Sequence, residues 1–92
     1  MSVLVRYSTG PMTVEQYDEA LRRVQAVAGE WPPHGLEYHV CFGRDKNLHV
    51  IDVWYSRAQF EAFGQWLSPL LEHVGVHLDE YKVSEIYNAM RQ

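Results

Sequence analysis

Two short stretches, MTVEQY (12–17) and YSRAQF (55–60), repeat one design. In each, an apolar residue precedes a hydroxyl residue, Gln follows three positions after the hydroxyl, and an aromatic residue comes next. Hydroxyl-x-x-Gln is a capping box, in which the two side chains satisfy backbone amides that the first helical turn leaves free. The flanking apolar pair adds a hydrophobic staple. Each stretch also follows a run of alternating apolar residues, so the chain twice passes from a strand into a capped helix and on to another strand. Crossovers of this kind are right-handed, and two of them in succession predict an α+β, ferredoxin-like βαββαβ fold. It has one four-stranded antiparallel sheet with both helices on one face.

The elements follow from periodicity. SVLVRYS (2–8) alternates as a strand. Val14, Tyr17, Leu21, Val24 and Ala28 recur at helical spacing behind Thr13, and Gly29 supplies a left-handed stop. After the loop EWPPHG, LEYHVCF (36–42) and LHVIDVWY (48–55) read as strands whose short connection, GRDKN, forces an antiparallel hairpin. The second helix starts at Ser56, buries Phe60, Phe63, Leu67 and Leu70 or Leu71, and ends near Gly75. Pro69 should kink or shorten its last turns. EYKVSEIYN (80–88) is the fourth strand. Residues 1–92 are expected to form a single domain.

Twelve acidic against eight basic residues give a net charge of −4, with no Lys/Arg stripe to neutralise phosphates, so no nucleic-acid partner is expected. The single cysteine, Cys41, cannot pair within the chain and reads as a packed thiol. No apolar run approaches the ~20 residues that span a bilayer. No membrane partner is therefore expected, and the cytoplasm is the expected location. A chain of 92 residues buries only about 60–65% of its unfolded surface alone. A sheet covered on one side leaves a second face, assigned here to Leu4, Arg6, Val50 and Trp54, that is too apolar for open solvent. A homodimer packed sheet to sheet around a cavity is expected.

The hairpin register decides which residues line that cavity, because a slip of one residue exchanges the faces. With RDKN as a four-residue loop, Phe42 lies near His49, and Leu36, Tyr38, Val40 and Phe42 share a face with Ile51, Val53 and Tyr55. That face suits the helices, and Glu37, His39, Cys41, Val50, Asp52 and Trp54 take the other. With the five residues GRDKN as the loop, Cys41 lies opposite His49 and Asp52 falls among apolar residues, where an unpaired carboxylate costs several kcal/mol or stays protonated. That penalty favours the first register, which points Asp52 and Trp54 into the space between two sheets.

With this element order and the junction DVWYSRAQFEAF (52–63), the chain resembles the dimeric α+β barrel superfamily and, within it, the antibiotic biosynthesis monooxygenase-like group of small proteins. The resemblance covers nearly the whole chain in element order. It implies a homodimer, a ligand pocket between sheet and helices and, in several members, oxidation of aromatic polyketide-like substrates without metal or flavin. Trp54 matches the tryptophan that lines the pocket of polyketide-oxidising members. An Asn often found four residues before that Trp is Val50 here. A frequent second-helix histidine, the iron ligand of the haem-degrading branch, is Phe63, which argues against haem. No cofactor is expected.

Asp52 and His39 are the candidate catalytic residues, as general bases toward a phenol or an activated C–H. The competing structural role for Asp52 is an ion pair with Arg6, and for His39 a hydrogen-bonded core position. Trp54, Arg6, Val50 and Phe63 are the candidate ligand contacts, Trp54 as a flat wall and Arg6 as the group that stabilises a substrate anion. His39, Cys41 and His49 are the only cluster dense enough to consider for a metal, but in the favoured register His49 turns away from the other two, and Gly75 separates His73 from His77, so no metal site is expected. Two functions remain open. One is a cofactor-independent monooxygenase, or a related isomerase or cyclase, acting on a small aromatic or polyketide-like molecule. The other is a non-catalytic ligand-binding or structural dimer.

Overall fold

The computed structural model describes residues 1–90. Its elements are β1 (Val3–Thr9), α1 (Val14–Ala28), β2 (Leu36–Arg44), β3 (Asn47–Trp54), α2 (Arg57–Gly64), α3 (Leu67–His73) and β4 (Leu78–Glu85). All strand pairings are antiparallel, in the order β2-β3-β1-β4, and the helices cover one face. No helix among the described residues is long and apolar enough to cross a membrane.

The first helix is capped as its sequence predicts. The Thr13 hydroxyl accepts the Gln16 amide, the Gln16 side chain accepts the Thr13 amide, and Met12 packs in the same cluster as Tyr17. Gly29 closes the helix at φ 77°, a conformation that glycine adopts without steric cost. The second junction is only half built. The Ser56 hydroxyl accepts the Gln59 amide, but the Gln59 side chain bonds that hydroxyl instead of the Ser56 amide. Tyr55, the expected staple residue, is exposed.

Pro69 acts earlier than expected. A proline in mid-helix removes an amide donor and clashes with the carbonyl four residues back, here that of Gln65. The helix accordingly stops at Gly64 and restarts at Leu67, which puts Pro69 in the first turn of α3, where amides have no helical partner anyway. The fourth strand runs Leu78–Glu85, starting two and ending three residues earlier than the pattern suggested, with a register shift between Ser8 and Thr9 on its partner β1.

In the hairpin, Phe42 lies opposite His49, Cys41 opposite Val50 and His39 opposite Asp52, the register of the four-residue loop. The ladder continues two pairs further, through Gly43–Leu48 and Arg44–Asn47, leaving Asp45 and Lys46 as the turn. The faces, however, are the reverse of the sequence expectation. Val5 pairs with Asp52 and Val3 with Trp54, so both β3 residues join the inward face of β1 beneath the helices. Asp52 is 4% and Trp54 1% exposed within one chain. Tyr38, Val40 and Phe42 are 44–47% exposed on the uncovered face.

Two apolar clusters fill the space under the helices. Val3, Val5, Trp54 and Phe60 form one, flanked by Tyr7 and Phe63; Met12, Ala20, Leu48, Leu71 and Val76 form the other, flanked by Tyr17, Cys41 and Val50. The aromatic centre of the first cluster, with Trp54 and Phe60 rings 6.0 Å apart, outweighs what the Tyr38–Val40–Phe42 stripe offers.

Candidate functional site

Between the two clusters lies a line of four polar side chains. The ring Nδ1–H of His39 donates to Asp52 Oδ1 at 2.6 Å, and the Tyr7 hydroxyl donates to Asp52 Oδ2 at 2.7 Å. On the other side of the imidazole, the Tyr17 hydroxyl lies 2.6 Å from Nε2. A carboxylate only accepts, so Nδ1 carries a proton, and in the neutral ring Nε2 is the acceptor for the Tyr17 O–H. Three elements place the four groups: Tyr7 comes from β1, His39 and Asp52 from the β2–β3 hairpin, and Tyr17 from one turn inside α1.

Two aromatic rings also flank the imidazole. The Tyr17 ring lies beside it and nearly parallel, at 5.9 Å between centroids, and Trp31, from the loop after α1, meets it at a steep angle at 5.6 Å. His39 keeps 21% of its side-chain surface, so this end of the line is not sealed. Desolvation by burial, with smaller contributions from the Cys41, Asp52 and Asp18 charges, pushes Tyr17 up to about 12. Burial and then the Asp52 charge and hydrogen bond raise Tyr7 further still. Both phenols therefore stay protonated and act as donors. The Trp54 indole N–H is close enough to the Tyr7 oxygen to oppose that rise slightly, yet it completes no hydrogen bond and is a buried, unpartnered donor.

These groups face a cavity of about 70 Å³ between sheet and helices. Tyr7, Thr9, Tyr17, His39 and Asp52 border it, but their polar atoms show it almost no surface, and the lining is nearly all apolar, with contributions from residues such as Leu21, Val24, Leu67 and Phe63. Among the described residues, no Lys or Arg lines it.

The structure thus brings Asp52 and His39 together, with Val50 and Phe63 on the wall of the same cavity. It does not bring Arg6 or Trp54 there. Arg6 pairs with Ile51 and is exposed on the opposite face of the sheet, so the expected Asp52–Arg6 ion pair is replaced by Asp52–His39 and Asp52–Tyr7. Trp54 lies outside the cavity, packed against Phe63 at 5.1 Å, and supports the wall from behind. The cavity itself lies inside one chain, not between two sheets.

Tyr7, Tyr17 and Trp31 were not singled out as site residues by the sequence. One signal was available: Tyr7 continues the inward Val3, Val5 alternation, and a buried phenol needs a partner for its hydroxyl. His49 tilts against Phe42 on the outer face, away from His39 and Cys41. Burial raises the Cys41 thiol pKa, which keeps it protonated and unsuited to nucleophilic attack.

No family model matches the sequence, and no curated protein matches it. Solved structures do resemble it in fold. One is a protein from Chloroflexus aurantiacus J-10-fl described as an antibiotic biosynthesis monooxygenase, at TM-score 0.62 and 17% identity over 99% of this chain and 98% of that one. Another is SnoaB, a cofactor-independent oxygenase from Streptomyces nogalater, at TM-score 0.60 and 14% identity over 99% and 96% of the two chains; a mutant form of SnoaB aligns at 0.59 and 15%. At these identities the likeness is one of fold. The chain has the ferredoxin-like architecture of the antibiotic biosynthesis monooxygenase-like proteins.

Proposed function

We propose that the protein is a cofactor-independent oxygenase acting on a small, electron-rich aromatic molecule held in the cavity beside His39. One observation carries the reading: the carboxylate of Asp52 fixes Nδ1 of His39 at 2.6 Å, leaving Nε2 as a base directed at the hydroxyl of Tyr17 on the cavity wall. This is the carboxylate–imidazole arrangement that holds a general base in the needed tautomer and stabilises its protonated form. A substrate hydroxyl that gives its proton to the Tyr17 oxygen, while Tyr17 passes its own to Nε2, leaves a phenolate and an imidazolium beside Asp52. Tyr17 itself stays neutral in this relay, in keeping with its raised pKa.

The phenolate then transfers one electron to O₂. The two radicals join at a ring carbon, forming a C–O bond, and the peroxide takes back the proton from His39. Loss of water breaks the O–O bond and removes the hydrogen of that carbon, leaving a carbonyl. The substrate supplies all the electrons: a phenol and O₂ give a quinone and one water. Arg6, on the other face, has no part in this scheme, and the anion is met instead by the hydrogen bond from Tyr17.

The same reading includes a homodimer in which a second copy covers the outer face of Leu4, Tyr38, Val40, Phe42, Ile51 and Val53. The non-catalytic reading retains one supporting observation. The cavity is about half the ~150 Å³ that encloses benzene, a tight fit for any aromatic substrate. Oxygen uptake with a panel of hydroxylated aromatics separates the two readings. The oxygenase predicts uptake that falls at least about 100-fold in His39→Ala and Asp52→Asn, the scale of a lost general base, with ligand affinity retained. Binding with no uptake across the panel, or unchanged uptake in His39→Ala, contradicts it.

A further inference from the structure

The geometry points to a restricted ligand class for this cavity: a neutral, largely apolar molecule of one ring with at most one small polar group such as a hydroxyl or amide, with carboxylates excluded. This inference rests on the cavity being the reaction site proposed above, and it concerns what enters, not what happens next. Charge disfavours anions. Asp52 is buried, and no Lys or Arg lines the cavity among the described residues. With His39 neutral the polar wall carries −1, and with His39 protonated the imidazolium is already bound to Asp52 and the wall is neutral. In neither state does an entering anion meet net positive charge, while it still loses its water.

The polar side chains Tyr7, Asp52, His39 and Tyr17 form one hydrogen-bonded line. Tyr17 and His39 share one part of the wall through their hydrogen bond, and most of the remainder is aliphatic or aromatic. The polar atoms of this line are already bonded to one another and leave the cavity little polar surface, so a largely apolar neutral ring with at most one small polar group is matched there, its body against Leu21, Val24, Leu67 and Phe63. Size sets the last restriction. At about 70 Å³, against the ~150 Å³ that encloses benzene, the cavity takes one ring with its edge in the opening, and fused rings have nowhere to go.

Calorimetric titration of the intact protein with phenol, benzamide, benzoate and a three-ring anthrol tests this without any turnover. Benzamide and benzoate have nearly the same shape and differ in charge. Phenol and benzamide should bind, and benzoate should bind at least about tenfold more weakly than benzamide, as expected for a like charge held several ångströms from Asp52 at an effective dielectric of about 20. In Asp52→Asn the gap should narrow. If that variant does not fold, the wild-type comparison alone decides. The anthrol should fail to displace phenol. Benzoate binding as tightly as benzamide, displacement of phenol by the anthrol, or no binding of either neutral ring would overturn the inference. Selective binding of the neutral rings without oxygen uptake would support it and count against the oxygenase alone.

Discussion

Asp52 is the residue on which the interior turns. A carboxylate on the central strand, 4% exposed and facing two apolar clusters, is stable because each of its oxygens has a donor. Tyr7→Phe removes one of them and leaves a buried charged oxygen unsatisfied, so it should cost about 1–3 kcal/mol of folding stability, read from urea unfolding. The phenols also predict a pH dependence. Tyr17 is raised from 10.0 to about 12 in the folded protein, so across that interval the unfolded chain has lost a proton that the folded one keeps. Unfolding then releases protons, and stability should fall as pH rises from about 10 to about 12 and be insensitive to this group below that range. Tyr17→Phe should flatten the slope, and a slope unchanged by that substitution would contradict the assignment. Little of this was legible beforehand. His39 and Asp52 stood out by type, but the partners that make burial tolerable lie 22 and 45 residues away, on α1 and β1. Weighed against its hairpin neighbours alone, an inward Asp52 looked too costly.

The elements were more legible than their faces. Caps, glycine stops and alternation are local signals, and Thr13, Gly29 and the Phe42–His49 register sit where those signals put them. Which face the helices cover is a long-range outcome, visible only once β1 pairs with β3 and sets Val3 and Val5 beside Trp54 and Asp52, and no short window of sequence contains it. The split of the second helix was half visible: Pro69 announced a disturbance, but avoiding its clash moved the break to Gln65–Trp66. The two caps now make a graded prediction. Thr13→Ala removes a complete capping box and should cost about 1–2 kcal/mol, whereas Ser56→Ala removes a partial one and should cost about 0.5–1 kcal/mol. Chemical denaturation of both variants checks the order, and equal losses would speak against the difference between the junctions.

At the scale of the molecule, the fold separates two surfaces that the sequence had merged. The cavity belongs to the interior of one chain, and the outer sheet face, with Tyr38, Val40 and Phe42 half exposed, is the surface on which the proposed second copy would sit. A second copy on that face predicts a dimer in sedimentation equilibrium. Val40→Glu should dissociate it and leave the Tyr17 titration in place, since the two lie on opposite sides of the sheet. A wild-type monomer at micromolar concentration would remove the dimer and leave the cavity untouched. Everything else depends on ligand chemistry taking place under the helices, against the imidazole that Asp52 holds. A crystal structure of the protein soaked with phenol tests it directly. The predicted result is a phenolic oxygen within hydrogen-bond distance of Tyr17 Oη or His39 Nε2 and a ring against Phe63. A ligand seated on the outer face beside Arg6, with the cavity unchanged, would contradict it.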